Sequence, residues 1–107
     1  MEIKLSERDV LNSVIQHLEI RKILYIRNNT GAASYTDKEE HHRFVRFGSK
    51  GSPDILFFRN NKSYAVECKS STGRQSLYQL SWQREFEKAG GIYLLVRKPE
   101  DVLNFIN

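Results

Sequence analysis

Residues 51–69, GSPDILFFRNNKSYAVECK, decide the fold that we expect for this chain. The runs 55–60 and 63–69 are rich in aromatic and β-branched residues, which favour β-strands. Only a short polar connection around Asn60, Asn61 and Lys62 separates them, so a tight turn must join the two strands. The stretch from 54 to 69 therefore predicts a β-hairpin.

Chemically active side chains lie at the open end of this predicted hairpin. Side chains alternate across a strand, so Glu67 and Lys69 share one face while Val66 and Cys68 point to the other. Asp54 opens the partner strand, and the short connection brings it opposite the end of the second strand. We therefore expect Asp54, Glu67 and Lys69 to converge at one edge of the sheet, with Cys68 as a small core residue.

Two neighbouring carboxylates repel each other, and a divalent cation between them removes the repulsion. Oxygen ligands favour Mg²⁺ or Mn²⁺ over zinc, and the backbone carbonyl of Cys68 is a candidate third ligand. Such an ion would activate water and neutralise phosphate charge, while Lys69 would hydrogen-bond the attacking water or the developing phosphorane. The pattern indicates phosphodiester hydrolysis. The alternative is a surface Glu67–Lys69 ion pair beside an unrelated Asp54, which is common and contributes little.

The rest of the chain shows helical and strand periodicity around the hairpin. Ser6 is a candidate N-cap with Asp9 as its capping-box partner. The second predicted helix carries Tyr78, Trp82, Phe86 and Ala89 on one face. The predicted elements are a helix over 7–21, a strand over 23–28, a polar loop over 31–43, a strand over 44–47, a turn over 48–53, a helix over 75–89, a strand over 92–96 and a final helix from Pro99. The predicted fold class is α/β, a mixed sheet with flanking helices.

Composition narrows the class of protein further. A chain of 107 residues suits one domain, and its formal net charge of +4 is compatible with a polyanionic partner. The single cysteine excludes an internal disulfide, and no Cys/His zinc spacing is present, so we expect an intracellular, reducing compartment. The N-terminus is too polar for a signal peptide, and no apolar run is long enough for a membrane span.

Pro53-Asp54 followed by Glu67-Cys68-Lys69 resembles the PD-(D/E)xK nuclease superfamily. Within it, the chain resembles the VRR-NUC domains, the virus-type replication-repair nucleases. GSPDILFF (51–58) is similar to their entry to the first active-site strand, and residues 66–96 are similar to their strand, loop, helix and closing strand. Gln79 and Trp82, ten and thirteen residues beyond Lys69, make the resemblance specific.

The resemblance implies a restriction-endonuclease-like mixed sheet in a single domain over 1–107. It also implies roles for individual residues. Asp54 and Glu67 would be metal ligands, joined by the Cys68 carbonyl. Lys69 would be the catalytic lysine, and Gln79 would support the site. Glu7, in the first turn of the first helix, is read as a helix-dipole partner in preference to the further acidic metal ligand that related nucleases place there.

Several further residues have both a functional and a structural interpretation. The basic residues expected near the site are candidate phosphate contacts: Arg43, Arg46, Lys50 and Arg74, with Arg27 and Arg97 as further candidates. His41 and His42 are read as an exposed pair in preference to metal ligands or a general base. Trp82 is read as a core residue in preference to a base-stacking platform. Gln83 is read as solvated unless its helix face meets the hairpin.

Together these observations predict a metal-dependent DNA endonuclease, a standalone viral or bacterial member of its family. The chain has no base-reading motif, so the shape of the DNA is the expected cue. Standalone VRR-NUC proteins are associated with homodimers and Holliday-junction resolution, which implies a homodimer acting on branched DNA. The alternatives are a monomeric nonspecific nuclease, a non-catalytic nucleic-acid-binding module and a structural interaction protein.

Overall fold

The computed structural model describes residues 4–28, 32–36, 38–46 and 49–107, and for the strands at 32–36 and 42–46 the description covers the backbone. The described residues form three helices and six strands. In chain order these are α1 (Glu7–Ile20), β1 (Leu24–Arg27), β2 (Ala32–Thr36), β3 (His42–Arg46), β4 (Ile55–Arg59), β5 (Lys62–Cys68), α2 (Leu77–Lys88), β6 (Ile92–Val96) and α3 (Glu100–Ile106). None of the helices in the described ranges is long and apolar enough to cross a membrane.

The predicted hairpin is confirmed and forms the centre of a four-stranded sheet with the order β1-β4-β5-β6. β4 and β5 pair antiparallel, with Ile55 opposite Val66. Asn60 and Asn61 both have positive φ, which suits the tight turn of a hairpin because asparagine tolerates this conformation. β1 adds antiparallel to β4, while α2 carries the chain across so that β6 joins β5 in parallel. The α/β fold with a mixed sheet is therefore as predicted.

The core lies between one face of this sheet and the helices α1 and α3. α1 begins at the predicted Ser6–Asp9 capping box and buries Val10, Val14 and Leu18, which recur every four residues along one stripe. The sheet contributes the side chains of alternate positions to the same cluster: Ile55, Phe57, Tyr64, Val66, Cys68, Leu94 and Val96. α3 closes the cluster with Val102 and Ile106. Cys68 is buried there, as expected.

α2 packs on the opposite face of the sheet and is less buried than its sequence predicts. Trp82 stacks on Phe86 with 4.9 Å between ring centroids and lies 6.3 Å from the ring of Tyr93. Trp82 is thus a half-buried packing residue. No residue of α2, which is described throughout, is fully buried, and Tyr78 and Ala89 of the predicted apolar face are exposed. The helix covers β6 and leaves much of its own apolar surface open.

The polar segment 31–43 was predicted to be a loop, and this prediction was wrong. Ala32–Thr36 is a strand that pairs antiparallel with His42–Arg46, with Ala32 opposite Arg46 and Thr36 opposite His42. These two strands form a separate two-stranded sheet. The segment has no alternation of apolar and polar residues that would reveal a strand. Its pairing with β3 relies on backbone hydrogen bonds, which do not depend on such a pattern. The predicted strand 44–47 is correspondingly longer at its start, and Phe47 lies outside the described residues.

Candidate metal centre

The backbone of the central hairpin holds Asp54 immediately before β4. The Asp54 N–H donates to the Val66 carbonyl at 3.0 Å, and its carboxylate Oδ2 accepts from the Cys68 N–H at 2.8 Å. The Asp54 carbonyl in turn accepts from the Asn28 N–H at 2.8 Å. Contacts from both sides therefore fix the Asp54 backbone, and the Cys68 N–H holds its carboxylate. Its position follows from the hairpin register.

Asn28 positions the turn that leads into Asp54, a role that the sequence did not reveal. Its side-chain Nδ2 donates to Ser52 Oγ at 2.8 Å and to the Pro53 carbonyl at 2.9 Å. Ser52 Oγ donates onward to the Ser49 carbonyl at 2.6 Å. The only available signal was an asparagine at the end of the predicted strand 23–28, which is too common to assign a function.

Gly51 lets the same turn approach the start of α2. It has φ +83°, and a Cβ at this position would lie 2.3 Å from the Tyr78 carbonyl oxygen. Only glycine fits such a conformation and such a close approach of two backbones. The turn before Asp54 and the helix that carries Gln79 are thereby fixed to each other.

Glu67 lies on the sheet face opposite the core and is only 2% exposed. Its Oε1 accepts from Gln79 Nε2 at 2.9 Å and lies 3.6 Å from Lys69 Nζ. Its other oxygen, Oε2, is buried and has no hydrogen-bond partner among the described residues. Because an unsatisfied buried carboxylate oxygen is costly, its presence suits a site that takes up a further ligand.

Gln79 is held by a capping box at the start of α2. Its Oε1 accepts from the Ser76 N–H at 2.9 Å, and the Ser76 hydroxyl accepts from the Gln79 N–H at 3.1 Å. The other end of the same amide, Nε2, is then directed at Glu67. The capping box therefore fixes Gln79, and Gln79 in turn holds the carboxylate of Glu67. This explains why a glutamine at this helical position suits the site.

Glu7, from the first turn of α1, completes a cluster of three carboxylates. One carboxylate oxygen each from Glu7, Asp54 and Glu67 lies within 4.8 Å of the other two. Glu7 is exposed, Asp54 is half-buried and Glu67 is buried, so the cluster opens to solvent on the side of α1. Glu7 lies both within the cluster and in the first turn of α1, where a carboxylate interacts favourably with the helix dipole. Its place is therefore compatible with a role as a metal ligand and with a role as a helix-dipole partner.

The electrostatics of the cluster favour an added positive charge. Burial, followed by the neighbouring Asp54 charge, raises the pKa of Glu67 to about 7, although Lys69 opposes the change. Burial also raises the pKa of Asp54, against the hydrogen bond from the Cys68 N–H. Burial raises the pKa of the Cys68 thiol strongly, which excludes it as a nucleophile. The positive charges that act on Asp54, those of Lys69 and Arg27, do not balance three carboxylates.

The cluster lies at the end of two central strands, whereas the sequence predicted one edge of the sheet. β4 and β5 are both flanked by other strands, so neither is an edge strand. Glu67 is consequently much more buried than a residue on an edge strand would be. This difference increases the cost of leaving its charge uncompensated.

The predicted DNA contacts fall into different environments. Lys50 Nζ lies 3.6 Å from the centroid of the Tyr78 ring, in a cation–π contact. Arg74 and Arg27 are exposed. Arg97 is directed inward, and its Nη1 donates to the carbonyls of Ser70 and Gly73. The Arg43 and Arg46 side chains lie outside the described part of the chain.

His41, His42 and Gln83 are the remaining residues for which the sequence suggested two roles. His41 is exposed, and its Nδ1 lies 3.6 Å from a carboxylate oxygen of Glu39. The side chain of His42 falls outside the described residues. Gln83 is not simply solvated, because its Oε1 accepts from Gln75 Nε2 at 2.9 Å.

No protein-family model matches this chain, and no curated protein is significantly similar to it in sequence.

Proposed function

We propose that this protein is an Mg²⁺- or Mn²⁺-dependent endodeoxyribonuclease of the VRR-NUC type, within the PD-(D/E)xK superfamily. One observation carries the proposal. Three carboxylates converge around a buried Glu67 whose Oε2 lacks a partner, with the Lys69 ammonium 3.6 Å from Oε1. A hard divalent cation compensates these charges, and carboxylate oxygens are the ligands that Mg²⁺ and Mn²⁺ prefer.

Each residue of the site has a distinct part in this proposal. Asp54 and Glu67 hold the cation, with the Cys68 carbonyl as a backbone ligand and Glu7 as a further carboxylate. When bound, such an ion lowers the pKa of water and neutralises charge on the phosphate. Lys69 donates hydrogen bonds to the attacking water or to the phosphate oxygens as negative charge develops on them.

Gln79 and Asp54 are also held in ways that suit catalysis. Gln79 donates to Glu67 Oε1, and the buried Oε2 has no hydrogen-bond partner among the described residues, so it is free to take a ligand. The Cys68 N–H holds one oxygen of Asp54, so this carboxylate needs little reorganisation when a cation binds. Groups fixed before the substrate arrives lower the barrier because they do not have to be ordered during the reaction.

Branched DNA is the substrate that we propose, with a homodimer as the active species. The net charge of +4 suits a polyanion, and a structure-selective enzyme does not need a base-reading motif. Apolar side chains are exposed at the end of α1 and on β1, an edge strand of the sheet, with Ile20 and Leu24 69% and 70% exposed. Such a surface is available for a two-fold interface.

The proposed location is the reducing interior of a bacterial or phage-infected cell. Cys68 is a free thiol inside the core, which needs no oxidising compartment. A monomeric nonspecific nuclease and a non-catalytic nucleic-acid-binding module remain the alternatives. The second is disfavoured because carboxylates that repel phosphate do not help binding alone.

The test measures Mn²⁺ binding and cleavage on the same set of variants. Calorimetry follows Mn²⁺ affinity, and nicking of supercoiled plasmid with Mn²⁺ or with EDTA follows activity. We expect Asp54→Asn and Glu67→Gln each to lose Mn²⁺ binding and to reduce cleavage to background. Glu100→Gln, which removes an exposed carboxylate from α3, serves as the matched control and should behave as the wild type.

The outcomes separate the nuclease from the binding module and test the metal ligands. Wild-type cleavage that requires Mn²⁺ supports the nuclease. DNA binding without cleavage at any metal concentration would instead favour the binding module. Undiminished Mn²⁺ affinity in both variants would refute the assignment of the metal ligands.

A further inference from the structure

Residues 70–76 connect the two halves of the proposed active site. Lys69 precedes this segment at the end of β5, and Gln79 follows it in the first turn of α2. The segment begins with a turn in which the Gly73 N–H donates to Ser70 Oγ at 3.1 Å and lies 3.3 Å from the Ser70 carbonyl oxygen. Lys69 and Gln79 both approach Glu67 Oε1, so a movement of this segment would displace two groups around one oxygen.

Arg97 binds the turn from the far side. It follows β6, and its Nη1 donates to the Ser70 carbonyl at 2.7 Å and to the Gly73 carbonyl at 2.8 Å. These hydrogen bonds are charge-assisted and short. Arg97 is itself anchored, because its backbone N–H donates to Asp101 Oδ2 at 2.9 Å. Asp101 lies in the first turn of α3, so the turn is tied to the core through two elements.

The turn lies directly against the side chain of Lys69. A Cβ built on Gly73 would be 3.4 Å from Lys69 Cδ and 3.5 Å from Lys69 Cβ. The Lys69 side chain is only 12% exposed although it ends in a charged group. Confinement by the turn therefore limits the rotamers of Lys69 and keeps its ammonium beside Glu67.

The other end of the segment is held in the same network. Gln75 Nε2 donates to Gln83 Oε1 at 2.9 Å and to the Tyr93 hydroxyl at 3.3 Å. The next residue, Ser76, forms the capping box that directs Gln79 at Glu67. The segment is thus anchored at both ends, at Ser70–Gly73 by Arg97 and at the start of α2 by Gln75 and Ser76.

We propose that Arg97 is a positioning residue, which clamps the turn at Ser70–Gly73 so that Lys69 and Gln79 are both held against Glu67. The effect on catalysis rests on the proposed nuclease function, whereas the clamp itself does not. This role differs from the phosphate contact that the sequence suggested, since the guanidinium is engaged with two backbone carbonyls.

The experiment compares Arg97→Ala and Arg97→Lys with Lys98→Ala. Lys98 is the exposed neighbour, so its removal takes away the same charge without breaking the clamp. We expect Arg97→Ala to reduce kcat by about 10- to 100-fold, the range for residues that orient catalytic groups. KM for DNA and Mn²⁺ affinity should stay at wild-type values. Arg97→Lys should recover part of kcat, as should guanidinium ion added to Arg97→Ala.

Amide hydrogen exchange supplies a readout that does not depend on activity. We expect faster exchange at Gly73 and through residues 74–79 in Arg97→Ala, with unchanged exchange in Lys98→Ala. If the wild type does not cleave DNA, the proposed function fails, and the exchange data still decide whether the clamp exists. If Arg97→Ala does not fold, the comparison uses Arg97→Lys, which should show smaller changes in the same direction.

Two results would overturn the proposal. The first is a raised KM for DNA, with a weaker salt dependence and an unchanged kcat, which would identify a phosphate contact. The second is wild-type exchange throughout residues 70–79 in Arg97→Ala, which would show that the turn does not depend on the guanidinium.

Discussion

Replacing Glu67 by glutamine should stabilise the metal-free protein at alkaline pH. The pKa of Glu67 is raised from 4.5 to about 7, mainly because the side chain is buried and secondly because Asp54 is near. The folded state therefore keeps a proton that the unfolded state releases between these two values. Since the folded state binds more protons in this window, the free energy of unfolding must fall as pH rises from about 4.5 to about 7.

The magnitude follows from the same pKa values. At about 1.4 kcal/mol per pKa unit, the change amounts to about 3 kcal/mol at pH 8. This is a large part of the ~5–15 kcal/mol that stabilises an ordinary domain. Glutamine removes the charge and keeps the shape. Its amide oxygen can still accept from Gln79, and its amide nitrogen can donate to the carboxylates of Asp54 and Glu7.

Urea denaturation at pH 5 and pH 8, with EDTA or with Mn²⁺, measures this effect. In EDTA, we expect Glu67→Gln to be more stable than the wild type at pH 8, by up to about 3 kcal/mol, and nearly equal to it at pH 5. Mn²⁺ should stabilise the wild type at pH 8, by about 2.7 kcal/mol at a hundredfold excess over its dissociation constant. It should have little effect on the variant.

Glu100→Gln again provides the control, because Glu100 is exposed on α3. It should leave the pH dependence of the wild type unchanged. The reasoning would be refuted if Glu67→Gln were less stable than the wild type at pH 8 in EDTA. Parallel pH profiles of the wild type and Glu67→Gln would refute it equally, since Glu67 would then titrate normally.

Three further predictions concern catalysis, packing and assembly. Lys69→Ala should retain Mn²⁺ affinity in calorimetry and lose turnover by about 10²-fold in the plasmid assay, whereas near wild-type turnover would show that Lys69 has no part in catalysis. Gly51→Ala should lower the free energy of unfolding by about 2 kcal/mol or more, because its Cβ would meet the Tyr78 carbonyl. The loss should clearly exceed that of Gly90→Ala, whose Cβ has open space at a similar φ. Equal losses in urea denaturation would contradict this. Light scattering at micromolar concentration should show a dimer that Leu24→Glu dissociates. A cleavage assay should show that a synthetic four-way junction is cut in preference to a matched duplex. A monomer that cleaves both substrates equally would overturn the assembly proposal.

The hairpin could be predicted because its information is local. Runs rich in aromatic and β-branched residues define both strands, and the paired asparagines suit a turn with two positive φ angles. Once the hairpin is known, its register places Asp54 near the end of β5, where the Cys68 N–H reaches its carboxylate. The Ser6–Asp9 capping box could be predicted for the same reason, since it joins residues only three positions apart. The Ser76–Gln79 box has the same spacing but was not predicted.

The strand Ala32–Thr36 could not be predicted in the same way. It pairs with β3, which forms only after the chain has reversed direction, and no alternation of apolar and polar residues marks one of its faces. Helix α2 shows the converse error, because its aromatic spacing suggested a buried face that the sheet only partly covers. In both cases the neighbouring elements override the local pattern.

By itself, the sequence determined the α/β fold class, the central hairpin and the meeting of Asp54 with Glu67. Only the tertiary structure decided how deeply Glu67 is buried, that Glu7 joins the cluster and that Arg97 is directed at the turn after Lys69. The physical reason is the range of the forces involved. Strand alternation and capping act between residues a few positions apart, whereas burial and electrostatic fields depend on elements that meet only in the folded chain.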